Sequence, residues 1–221
     1  MSKDLKTPNP EQPGRIFEAE LHDGVKTDDD PPLPPDERRR GVVRLCCNFM
    51  RNLAFHRAGR QNEVREYLLN RNHPQGEFWI QGHGNCLDTC VLDWCKMFAD
   101  YDGEHHWHRV VDDDDRARFK RDLFTAVGKG AEFNQTFKKV KHYRDKFVAH
   151  LDEERVMLLP DLEVARQATV FLFERLAQMI ASPKEWQDLP ASTEELAFLY
   201  RRASEQAESV YHEAVRAAQR L

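Results

Sequence analysis

The chain has 221 residues, of which 40% are apolar and 32% charged, and carries a formal net charge of −5 at pH 7. Its size fits one or at most two domains, and 13 Phe and 4 Trp are enough to build a core without disulfide or metal staples. The acidic balance excludes a bulk basic footprint for nucleic acid, so any such chemistry must come from a local site.

No run of about 18 uncharged apolar residues occurs, which argues against a membrane span. The first residues, MSKDLKTPNPEQPG, lack the apolar stretch of a secretory signal. Five cysteines, an odd number, read as reduced thiols of a cytoplasmic protein.

Residues 1–35 hold seven of the eleven prolines and the acidic run Asp28-Asp29-Asp30. Proline fixes φ and removes a donor, so this stretch reads as a disordered tail, with at most a short helical turn around Arg15–Leu21. From Asp36 onward the pattern is helical and strand-like alternation is missing. Asp36 is placed to cap a first helix whose apolar face is Val42, Val43, Leu45, Cys46, Phe49, Met50 and Leu53. A short turn over Glu63–Leu69 precedes the break at Asn72-His73-Pro74. A second long helix runs from about Glu77 to Ala99, with Phe78, Leu87, Cys90, Val91, Trp94 and Phe98 on one side.

Asp102-Gly103 then signals a turn, followed by the loop Glu104-His105-His106-Trp107-His108. The four acids Asp112–Asp115 suit a helix N-terminus, and that helix carries Phe119, Leu123, Phe124 and Val127 up to Gly128. After Pro160 another helix presents Val164, Ala168, Phe171, Leu172, Leu176, Met179 and Ile180. The last opens on Ser192-Thr193-Glu194-Glu195, a capping box, and its final two polar, alanine-rich turns read as a frayed end or a partner contact. Five or six helices make an all-α bundle.

The helix starting near Gly130 is the informative one. Phe133, Phe137, Val140, Phe147, Val148 and Leu151 form one stripe, and at ~100° per residue Arg144 falls at its centre. Arginine in an apolar seam is costly unless the guanidinium is paired or faces a cleft. Either it has a buried acid partner, or this face lines a functional site. His150 lies ~120° around the helix from Arg144, on the side of Tyr143, and Asp145 falls on the opposite flank. The three meet only if the helix ends or bends near His150, or if two copies join across a dimer axis.

The string Tyr143–Asp152, YRDKFVAHLD, resembles the Arg-x4–6-His motif of HEPN domains, with Arg144, Asp145 and His150 in the three motif positions. The likeness is greater to the abortive-infection, or phage-defence, branch. There an Ala-His pair followed by an acid is common, and a His-His-Trp segment precedes it; here that segment is His105-His106-Trp107. The resemblance spans about residues 40–181. It implies an HEPN-like helical bundle that works as a homodimer and cuts RNA without metal or cofactor, in phage defence or a toxin–antitoxin system. An antitoxin or sensor protein would then restrain it.

The residues allow that chemistry. RNA supplies its own nucleophile in the ribose 2′-OH, so the protein must move protons and stabilise the phosphorane. His150 suits general base or acid work near neutral pH. Arg144 offers a charged fork for phosphate oxygens, and Asp145 would orient Arg144 or His150 of the partner subunit. Lys138, Lys139, Lys141 and Lys146 add local positive potential. Some HEPN toxins end the motif in His-x-Tyr, which a partner nucleotidyltransferase modifies. His150-Leu151-Asp152 does not support that control. The alternatives are a catalytically inactive HEPN-like module that binds RNA, a nucleotide or a protein, and a purely structural helical partner.

Two other clusters invite a metal reading. His83, Cys86, Cys90 and Cys95 are better explained as small buried groups within an apolar helix. Of the loop His105, His106 and His108, Trp107 and Arg109 read as anchors onto the core. No Gly-rich phosphate loop or Gly-x-Ser-x-Gly elbow occurs. The expected organisation is a tail over 1–35, an HEPN-like domain over 36–181 and an appended C-terminal helix over 182–221.

Overall fold

Pro35 opens the first helix instead of breaking it: at the first helical position its missing N–H would have had no partner anyway. A computed structural model describes residues 33–128, 130–148, 160–180 and 188–220. Of the tail expected over 1–35, residues 1–32, including Arg15–Leu21, lie outside the described residues, and Pro35 already belongs to the first helix. Among the described residues all regular structure is helical. The elements are α1 (Pro35–Gly59), α2 (Asn62–Tyr67), α3 (Gly76–Phe98), α4 (Trp107–Val110), α5 (Arg116–Ala126), α6 (Gly130–Tyr143), α7 (Glu163–Met179) and α8 (Thr193–Ala218). Asp36 lies in the first turn of α1 with no side-chain cap, so it serves the helix dipole and not a cap.

Helices α1 and α3 form an antiparallel pair. Cys46 meets Met97, the Phe49 carbonyl meets Cys90, and His56 meets His83, so numbers rise on one helix as they fall on the other. Trp94 is fully buried and touches the rings of Phe98, Phe133 and Phe137, which brings α6 onto α3. Burying such large side chains supplies most of the drive to close the bundle.

The four acids before α5 do more than favour its N-terminus. Asp112 pairs with Arg39 of α1 at 2.6 Å and Asp115 with Arg175 of α7 at 3.0 Å. Arg57 of α1 bonds both Tyr200 of α8, at 3.0 Å, and Glu163 of α7, at 2.5 Å.

Helix α8 is packed along its length. Leu196 joins the main core, while Ala207, Tyr211 and Val215 form a second apolar cluster with Ala58, Val64 and Leu68. Its last turns are therefore seated on α1 and α2, where a frayed end or a partner contact was expected. Ser192 accepts from the Glu195 N–H, as a capping box requires, but the Glu195 carboxylate reaches back to Ala191 N–H at 2.8 Å, one residue before the cap. Gly128 ends the α5 segment at φ 94°, a left-handed conformation that favours glycine.

Candidate functional site

The α-helical hydrogen bonding of α6 gives way at Arg144 to a π-helical turn over Arg144–Val148. The buried stripe departs from the expected one already within α6, before that turn. The buried line of α6 is Phe133, Thr136, Val140 and Tyr143, while Phe137 and Arg144 lie beside it, half-buried. Tyr143 takes the central place that helical periodicity assigns to Arg144. Its ring reaches the core and its hydroxyl donates to Asp88 of α3 at 2.9 Å. A guanidinium cannot take that position without full desolvation.

The Arg144 side chain keeps 16% of its exposure and is paired twice. It donates to Asp100, just past the end of α3, and through Nε to Asp145 at 2.8 Å. Asp145 in turn accepts from Lys141 at 2.6 Å. Burial works against the Arg144 charge, but the two carboxylates outweigh it and raise the pKa. Burial likewise pushes Asp145 up, yet Lys141 and Arg144 hold it below the usual carboxylate range. Two cations and two carboxylates thus meet with no net charge. Asp145 touches Arg144, so these two motif residues come together. His150 lies outside the described residues.

Sequence reasoning missed Asp100. Its signal was slight: an acid at the helix end immediately before the Asp102-Gly103 turn, placed to receive a cation from a neighbouring helix.

The loop histidines are ordered into a chain. His106 Nε2 lies 3.1 Å from the Phe98 carbonyl, which can only accept, so Nε2 carries the proton. Burial lowers the His106 pKa to about 4, so that ring is neutral near pH 7, and burial also lowers the pKa of His108. The bare His106 Nδ1 then accepts from His108 Nδ1 at 2.5 Å. Tyr101 stacks on His108, with ring centres 4.1 Å apart and planes within 11°. Trp107 stacks on Phe119 of α5 and anchors the loop as expected, but Arg109 is exposed and does not.

The other candidate cluster is dispersed. Cys90 and Cys95 are buried among core side chains, Cys86 is half-buried, and His83 stacks on His56. All five cysteines are free thiols. Among the described residues no three His, Cys, Asp or Glu side chains converge as metal ligands, and no helix is long and apolar enough to cross a membrane.

Compared with known proteins, the chain matches no family model, no curated protein and no solved structure.

Proposed function

We propose that the chain is a metal-independent RNA endonuclease of the HEPN type, acting at a homodimer cleft in phage defence or a toxin–antitoxin setting. The observation that carries this reading is Arg144 itself: a half-buried guanidinium at the start of a π-helical turn, oriented by the adjacent motif residue Asp145. Such turns are frequent at functional sites because they re-aim side chains out of helical register. The all-helical architecture also suits the reading.

In the reaction the ribose 2′-oxygen attacks the adjacent phosphorus and the bond to the 5′-oxygen breaks, leaving a cyclic phosphate and a 5′-hydroxyl. His150 takes the 2′ proton or delivers one to the leaving oxygen. Arg144 balances the charge that develops on the phosphorane. For this, phosphate must displace one carboxylate from Arg144, and Asp100, which belongs to another segment, is the one to exchange. Lys138, Lys139, Lys141 and Lys146 draw the polyanion to this end of α6.

The test is incubation of total RNA with the purified chain in EDTA. Cleavage with cyclic-phosphate ends is expected, with a loss of about 10²–10⁴-fold in His150→Ala. Cleavage that persists in well-folded His150→Ala overturns the proposal.

One observation favours a second reading, a catalytically inactive HEPN-like module that binds RNA, a nucleotide or a protein. Arg144 already has two carboxylate partners. On this reading the pair clasps α6 to the end of α3, and Asp100→Asn lowers stability without changing RNA. On the nuclease reading the same variant keeps its cleavage.

A further inference from the structure

The His-His-Trp-His string plays no part in the Arg144 chemistry, yet two of its members, His106 and Trp107, line a cavity beside it. The cavity has a volume of about 310 Å³ and lies between the end of α3, the loop after it, α5 and α6. That is the small end of the range for ligand sites. Its lining is ring-rich, with Tyr101, Trp107, Phe124 and Phe137 among the walls. Two polar groups join them. Asn134 offers an amide donor and acceptor, and Lys120 holds its ammonium 5.8 Å from the centre of the Phe124 ring.

Tyr101 is the key wall. It lines the cavity and is 64% exposed, although His108 stacks on one face and His106 tilts against it with ring centres 5.5 Å apart. The stack does not drift, because His108 is tied to His106 and His106 to the Phe98 carbonyl. A ring fixed in advance loses little freedom when a second ring settles on it. Aromatic platforms of this kind accept any base, since every base has a π-face.

The cavity also adjoins the Arg144 site. Ala99 and Tyr101 both line it, and Asp100, the carboxylate that holds Arg144, stands between them. Phe137 precedes Arg144 by two helical turns, about 10 Å along the axis.

We infer that this cavity seats one unpaired nucleobase against Tyr101, with Asn134 at the base edge and Lys120 near its phosphate. The inference deepens the RNA-cleaving reading and rests on it for the substrate class.

The test is fluorescence anisotropy of the full chain with a labelled 2′-O-methyl oligoadenylate, which cannot be cleaved because its 2′-oxygen is blocked. Tyr101→Ala is expected to weaken binding by about 5- to 100-fold, the worth of one base–aromatic stack. Tyr101→Phe, which keeps the ring and removes the hydroxyl, is expected to restore it. Adenosine that competes with the oligonucleotide identifies a free nucleoside as a sufficient occupant. Adenosine that fails to compete assigns the site to a base carried on a strand.

The inference is overturned if an abasic strand binds as tightly as the parent, or if folded Tyr101→Ala binds unchanged. Cleavage of total RNA by the same samples separates the two claims. Active enzyme with abasic binding intact sinks the base site alone, whereas Tyr101-dependent binding without any cleavage sinks the nuclease alone.

Discussion

Both ends of α3 carry a pair of packed histidines, buried except for the half-buried His83, and the two pairs are treated in opposite ways. Toward its N-terminus His83 stacks on His56 of α1, with centres 4.8 Å apart, and both Nδ1 atoms are buried with no hydrogen-bond partner. Beyond its C-terminus His106 and His108 are linked to each other and to the Phe98 carbonyl. The cause is where the backbone is available. A helix seam has already used its carbonyls, whereas the last turn of a helix leaves carbonyls open. The first pair sits in the seam between α1, α3 and α8. The second sits at a helix end. Polar side chains in a seam are therefore a cost to stability, and the same side chains at a helix end become a rigid support for a site.

Acid separates the two histidine pairs most strongly. Burial, His83, Arg60 and Arg57 together lower the His56 pKa to about 4, and burial with Arg60 lowers that of His83. Below pH 6.5 the unfolded chain takes up a proton that the folded chain refuses. Stability therefore falls with pH down to about pH 4, where the folded histidine titrates as well. The contribution lost through His56 is on the order of 3 kcal/mol. Urea unfolding at pH 7 and pH 4 measures it, and His56→Phe is expected to shrink the difference by about that amount. An acid limb that His56→Phe leaves unchanged means the seam pair is hydrated and not orphaned.

At neutral pH the same substitution separates the ends. His106→Phe strips partners from the Phe98 carbonyl and from His108, and is expected to cost about 1–3 kcal/mol. His56→Phe removes a group that had no Nδ1 partner, so it is expected to stay within about 1 kcal/mol of the parent. Parallel denaturant titrations give both values. Equal losses would show that the loop network contributes no more than ring volume.

The helices were legible in the sequence because their signals are local. Gly128 marks its stop by needing a left-handed backbone, and the apolar faces of α1 and α3 follow the 3.6-residue period except at Phe78, which was expected on the α3 face and is 71% exposed. Ser192 is the most explicit of these signals, and Ser192→Ala is expected to cost about 1 kcal/mol in thermal or denaturant unfolding. The site was legible only in part. Arg144 stood out as a cation interrupting an apolar stripe, and that oddity was real. The buried line of α6 runs through Thr136, Val140 and Tyr143, ahead of the π-helical turn, and this leaves Arg144 at the edge of the seam and not at its centre. Asp100 left only a slight signal, since it lies 44 residues away and meets Arg144 only through the packing of α6 on α3.

The Arg144 cluster supplies the smallest effect and the closest check on this picture. Lys141 bonds Asp145 at 2.6 Å, a short contact, yet the two side chains are 43% and 40% exposed. Water and salt screen such a pair, and fixing two long side chains costs entropy. Lys141→Met is accordingly expected to change stability by no more than about 0.5 kcal/mol, with little dependence on salt. Arg144 then keeps Asp145 to itself, so a nuclease that relies on Asp145 for aim should bind RNA more weakly only to the extent that one positive charge is lost. A stability loss well above 1 kcal/mol would show instead that Lys141, Asp145, Arg144 and Asp100 act as one buried network, and such a network would resist the carboxylate exchange that phosphate binding requires.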